Sequence, residues 1–170
     1  MQDKGENKVD PWGSVSITNY EKLFGQFGIE DMRPLVNRNP DPHLLIRRGI
    51  VFGHRDYGRI AEAMRAKKRF AIMTGLMPSG KFHIGHKMVA DQIIYYQSLG
   101  AKIFLCVADV EAYNMRIESL AKLREIAIEE YLLNYIALGL KPKGCDFYFQ
   151  SARSRDPEKT NAFHRLQGMV

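Results

Sequence analysis

The sequence predicts an α/β fold built on an open parallel sheet, and three observations carry that expectation. Short apolar runs bounded by turn residues recur at 70–74, 102–108 and 145–150. Between them lie two stretches with helical periodicity, each closed by a glycine, Gly100 and Gly139. The order strand, helix, strand, helix, strand is half of a doubly wound sheet, whose buried parallel strands read as continuous apolar stretches.

Taken in order, residues 1–16 are polar and broken by Pro11 and Gly13, and they hold the only tryptophan, Trp12. Residues 18–28 predict a short helix, because Tyr20, Phe24 and Phe27 share one face and Gly28 supplies a stop. Pro34, Pro40 and Pro42 make 33–42 a linker. A short helix and turn follow over 43–53, and Asp56 is placed to cap a helix to about Ala66, with Ile60, Met64 and Ala63 inward. The run Phe70–Thr74 is the first strand of the sheet. A loop with Gly75, Pro78 and Gly80 leads into a helix over 85–99 whose inward stripe is Val89, Ile93 and Tyr96. Ile, Phe and Val make 102–108 the second strand. Ser119 opens a long helix to Leu138 with Gly139 as its stop, 145–150 is the third strand, and Pro157 starts a last helix. The expected division is an N-terminal extension over 1–69 and the sheet-bearing region over 70–170.

Composition narrows the class. The 170 residues are 45% hydrophobic, 26% charged and 11% aromatic, which excludes a disordered, collagenous or disulfide-stapled chain. A chain of this length buries about 70% of its unfolded surface, so no staples are needed. The longest apolar run, Ile103 to Ala108, is far short of the ~18–20 residues of a spanning helix. The first residues are polar, without the apolar core of a secretory signal. Cys106 and Cys145 form no CxxC pair, which fits a reducing, cytoplasmic setting. A net charge of +6 and a pI near 9.3 favour a polyanionic partner such as nucleic acid or a phosphorylated ligand.

The chemistry is expected where the first strand turns into its helix. That turn, Thr74-Gly75-Leu76-Met77-Pro78-Ser79-Gly80-Lys81-Phe82-His83-Ile84-Gly85-His86, has neither GxGxxG nor GxxxxGK[ST]. It carries His-x-Gly-His at a helix start instead. Free N–H groups and a partial positive charge there suit a phosphate, and two imidazoles add donors to the same anion. Gly85 leaves the backbone bare where a flat base can stack. Without that context the two histidines read equally well as surface residues at a helix start.

His83-Ile84-Gly85-His86, within Pro-Ser-Gly-Lys-Phe-His-Ile-Gly-His, resembles the HIGH motif of class I aminoacyl-tRNA synthetases, specifically the tyrosyl/tryptophanyl branch. Val9-Asp10-Pro11-Trp12 resembles the VDPW segment of archaeal and eukaryotic tryptophanyl-tRNA synthetases. Tyr20, Lys22, Leu23, Phe27 and Gly28 continue that pattern, and Arg47-Arg48-Gly49-Ile50-Val51-Phe52-Gly53-His54-Arg55-Asp56 is similar to a third family block. The resemblance runs from Val9 to about Gln150.

The resemblance implies the N-terminal part of a Rossmann-like catalytic domain that activates an amino acid with ATP and transfers it to tRNA. His83 and His86 would hold ATP phosphates, Gly85 would lie under adenine, and Thr74, Gly75 and Ser79 would line the adenylate. Met73, Cys106, Asp109 and Glu111 fall at the family's amino-acid site, with Glu111 near the substrate amino group. Loop capping at a strand end is the other reading of Asp109 and Glu111. Mg²⁺ would travel with ATP, with no protein metal ligand, and the implied partners are L-tryptophan, tRNA(Trp) and, in the complete enzyme, a second copy as homodimer, with no membrane.

Met73 and Cys106 depart from the tyrosine and glutamine common at their positions, so the indole N–H partner must lie elsewhere. The family's KMSKS loop and helical anticodon domain are not in this sequence, and the isolated chain is expected to be inactive. A tyrosine–tRNA ligase is the enzymatic alternative. A truncated paralogue that binds nucleotide or a partner without turnover is the other. Arg47, Arg48 and Arg55 fit phosphate contacts or plain surface charge equally well. Tyr95, Tyr96, Tyr131 and Tyr135 are expected to pack in the core.

Overall fold

A computed structural model describes Phe24 and residues 28–37, 41–116 and 118–152. The VDPW segment, most of the helix expected over 18–28, and the helix expected from Pro157 lie outside the described residues. The chain forms two compact units, Met1–Arg65 and Ala66–Val170.

In the first unit, β1 (Glu30–Asp31) pairs antiparallel with β2 (Gly53–His54). Between them lie α1 (Arg33–Val36) and α2 (Leu44–Arg47), and α3 (Tyr57–Arg65) follows. Met32, Leu35 and Ile46 are buried together, with Val36, Val51 and Tyr57 packed around them. The linker expected over 33–42 is therefore corrected in its first part, which is the helix α1. Pro34 sits in its first turn, where a missing N–H costs no helical hydrogen bond. Asp31 fixes that turn by accepting the Arg33 N–H at 2.8 Å and its Nε–H at 2.7 Å. The Arg33 guanidinium beside it holds the Asp31 carboxyl below its ordinary value. At the head of α3, His54 Nδ1 accepts the Tyr57 N–H at 3.4 Å, and Ala61 and Met64 are the buried positions.

The second unit is a parallel sheet in the order β3 (Ala71–Leu76), β4 (Lys102–Val107), β5 (Cys145–Phe149). Gly75 pairs with Cys106, and Cys106 with Tyr148. Strand alternation puts Ile72, Thr74 and Leu76 on one face with Ile103, Leu105 and Val107, and Met73, Gly75, Phe104 and Cys106 on the other. Onto the first face pack α4 (Ile84–Ser98) and a long helical stretch. That stretch is α6 (Leu120–Ile126), a π-helical segment (Ala127–Leu132) and α7 (Leu133–Leu138), so it is not the uninterrupted α-helix expected. Ser119 Oγ accepts the Lys122 N–H at 3.2 Å to open it, and Gly139 closes it at φ +116°, a conformation costly for any side chain.

Ile103, Leu105 and Val107 are wholly buried, each burial contributing about 1.5–3 kcal/mol before the entropy cost of ordering. On α4 the expected stripe holds at Ile93 and Tyr96, which lie in or against the core, and fails at one position. Val89 is 41% exposed, whereas Ala90 and Ile93 face the sheet. The small Ala90 side chain permits close approach of helix and sheet there. A further helix, α5 (Asp109–Arg116), begins two residues after β4, where a loop was the other reading of its acids. Asp109 and Glu111 stand in its first turn, where negative charge is stabilising.

Candidate active site

The loop from β3 to α4 is shaped by its own residues. Pro78 is fully buried, and the Ser79 N–H donates to the Met77 carbonyl at 2.8 Å in a tight turn. Gly80 has φ +154°. Three residues on, His83 becomes the N-cap of α4. Its Nδ1 accepts the Gly85 N–H at 3.2 Å, while His86 Nδ1 accepts the His83 N–H at 3.3 Å. The two side chains thus satisfy two of the helix's unpaired donors reciprocally.

That capping decides the tautomer. An Nδ1 that accepts a hydrogen bond carries no proton, so each neutral ring holds its hydrogen on Nε2. The Nε2 of each ring is thus the nitrogen left to donate, and the ring centroids lie 3.8 Å apart. Burial, and then the neighbouring His83, push the His86 pKa down, which keeps that ring neutral. A methyl group at Gly85 would stand 3.1 Å from His83 Cε1 and 3.2 Å from its Nδ1. Glycine at this position is what lets His83 fold back onto the helix.

The other expected site residues fall into three groups. Met73 (73% exposed), Gly75 and Cys106 share the sheet face turned away from the helices. A Cβ at Gly75 would make only an ordinary 3.6 Å contact with the Cys106 carbonyl, so packing does not require glycine there. Thr74 lies on the opposite, core-side face, and Ser79 is exposed at the loop. Asp109 is wholly buried and already engaged. It accepts the Ser151 N–H at 3.0 Å and the Ser151 hydroxyl, and Arg124 Nε lies 3.8 Å away. The Arg124 guanidinium also donates to Ser151 Oγ at 2.8 Å and covers the Phe149 ring. Asp109 thus ties the ends of β4 and β5 to α6, while Glu111, two residues on, is exposed.

Two residues of the π-helical segment join this constellation without having been expected in it. Tyr131 meets the His86 ring edge-on at 4.9 Å, and Glu130 pairs with Lys81 of the loop. The available signal was the strict four-residue spacing of Leu123, Ala127, Tyr131 and Tyr135, all buried.

A sequence model of the tRNA synthetases class I (W and Y) matches residues 64–170. The chain belongs to this family. It is 53% identical over 146 residues to the tryptophan–tRNA ligase of Methanosarcina acetivorans, covering 86% of this chain and 33% of that protein. With the tryptophan–tRNA ligase of Hyperthermus butylicus it shares 54% identity over 149 residues, covering 85% of this chain and 40% of that one. It therefore spans about a third to two fifths of the length of these relatives.

Among solved structures, the tryptophanyl-tRNA synthetase of Aeropyrum pernix K1 matches with a TM-score of 0.76 and 44% identity, over 95% of this chain and 45% of that chain. The Encephalitozoon cuniculi enzyme, solved bound to tryptophan, matches with a TM-score of 0.69 and 28% identity, over 78% of this chain and 41% of that one. The parallel sheet is thus the Rossmann-like sheet of a class I synthetase. Among the described residues no helix is long and apolar enough to cross a membrane.

Proposed function

We propose that this chain supplies the HIGH half of the ATP site of a cytoplasmic tryptophan–tRNA ligase. The observation that carries the reading is the reciprocal capping of His83 and His86 through Nδ1, which leaves Nε2 of each ring to donate at one helix start. The names of its most similar relatives favour tryptophan over tyrosine as the amino acid. L-Tryptophan, ATP and tRNA(Trp) are then the substrates, with Mg²⁺ carried by the nucleotide and the complete enzyme a homodimer.

In this reading the tryptophan carboxylate attacks the α-phosphorus, the bond to the β,γ-pyrophosphate breaks, and pyrophosphate leaves with the electron pair. His83 and His86 donate to phosphate oxygens as negative charge shifts onto them, and because both rings are set beforehand little reorganisation is needed. Gly85 offers a bare backbone to the adenine, and Gly75 and Ser79 border the loop, with Thr74 supporting it from the core side. Met73, Cys106 and Glu111 border the amino-acid side, and Asp109 holds the strand ends on which that side is built. Neither Met73 nor Cys106 is a strong acceptor for an indole N–H, so that selectivity contact comes from other residues.

The test is amino-acid-dependent ATP–pyrophosphate exchange by the chain extended with its downstream coding sequence. Tryptophan should support exchange and tyrosine should not, and His83→Ala or His86→Ala should lower kcat by about 10²–10³. Exchange driven by tyrosine alone would refute the substrate, and full activity of both histidine variants would refute the site.

A further inference from the structure

We propose that the π-helical segment Ala127–Leu132 is the positioning element of the histidine pair, with Tyr131 setting the ring of His86 and Glu130 anchoring the loop that leads to His83. The inference rests on the HIGH loop being the nucleotide site but adds residues from a different helix.

The geometry begins with helical phase. Four residues turn an α-helix by about 400°, so a stripe spaced by four drifts about 40° per step. From Leu123 through Ala127 and Tyr131 to Tyr135 the drift would reach about 120°, enough to carry the tyrosines off the buried face. One π-helical turn takes up an extra residue and so removes about 100° of it. The Leu133 N–H accordingly donates to the Ile128 carbonyl, five residues back. Asn134 Nδ2 donates to the Glu130 carbonyl at 2.6 Å. All four stripe residues stay buried as a result, with Tyr131 and Tyr135 at 0% and 3% exposure.

The segment then grips both flanks of the loop with consecutive residues. The Glu130 carboxylate takes Lys81 Nζ, and that contact holds its pKa below the ordinary value. Tyr131 stands edge-on to His86 at 4.9 Å and to Phe82 at 6.1 Å. Phe82 also meets Tyr135 at 6.0 Å, so the ring that separates Lys81 from His83 is clamped. The Tyr131 hydroxyl has no hydrogen-bond partner among the described residues, so its ring and not its oxygen does the positioning.

Nuclear magnetic resonance of the full chain tests this without turnover. In the parent and in Tyr131→Phe, the His86 imidazole protons should resonate away from the free imidazole position and titrate below it. Tyr131→Leu should return both properties toward the free values. Glu130→Ala, which releases Lys81 and so loosens the loop, should speed hydrogen exchange of the Phe82 amide about threefold. An unmoved His86 signature in Tyr131→Leu, or unchanged Phe82 exchange in Glu130→Ala, would overturn the proposal. If Tyr131→Leu loses its amide dispersion, retention of the signature in Tyr131→Phe and the Glu130→Ala exchange rate decide. Adding ATP with Mg²⁺ separates the two readings. Silent His83 and His86 resonances beside an intact Tyr131 effect would refute the nucleotide site while leaving the positioning role standing.

Discussion

Replacing Asp109 by alanine should destabilise the sheet-bearing unit by about 2–3 kcal/mol. The carboxylate accepts two hydrogen bonds from Ser151 and faces Arg124 at 3.8 Å, while being itself wholly buried. Hydrogen bonds to a charged acceptor contribute about 1.5–3 kcal/mol each, and breaking a buried pair costs about 3–5 kcal/mol. Those figures must be reduced here, because the Arg124 side chain is 43% exposed and can turn to water. Asp109→Asn keeps an acceptor and the volume, so about half the loss is expected. Urea unfolding followed by far-UV circular dichroism gives the difference directly. A change below about 0.5 kcal/mol in Asp109→Ala, within the range of ordinary surface substitutions, would refute the assignment of this carboxylate to the fold.

Gly85→Ala should leave stability within about 1 kcal/mol, because alanine's better helix propensity offsets a damaged cap, yet displace His83 and weaken ATP binding in calorimetry. Leu105→Ala, at the centre of the sheet, should cost about 2–5 kcal/mol in the same urea assay. Because the folded state holds the His86 pKa below its ordinary value, the unfolded chain binds the proton more readily as pH falls through about 6.5. Urea midpoints should therefore fall from pH 7.5 to 5.5, and His86→Gln should remove that part of the slope.

The sheet strands and the HIGH loop were legible because their signals are local: apolar runs, a glycine stop at Gly139, a serine cap at Ser119. The helix α1 was hidden by Pro34, which marks a break in most contexts and a first turn in this one. In α4 Ile93 and Tyr96 were placed correctly, but Val89 was preferred to Ala90 because it is more apolar, whereas close packing against the sheet selects for size. Asp109 and Glu111 looked alike in the sequence, and only the distant Ser151 and Arg124 tell them apart. Tyr131 was correctly expected in the core, but its place against His86 depends on a π turn that the four-residue spacing encodes and an α-helical template does not read.

Because His83 and His86 cap the first turn of α4, an anion taken by their Nε2–H groups would belong with that turn to one thermodynamic system. A ring that swings away to follow a ligand releases a backbone N–H and loosens the helix end. A ligand that takes the Nε2–H groups where they already stand does the opposite, and holds the turn shut. Affinity for an anion and protection of the Gly85 amide from solvent exchange must then rise and fall together. The helix start would report occupancy of the site by its own fraying.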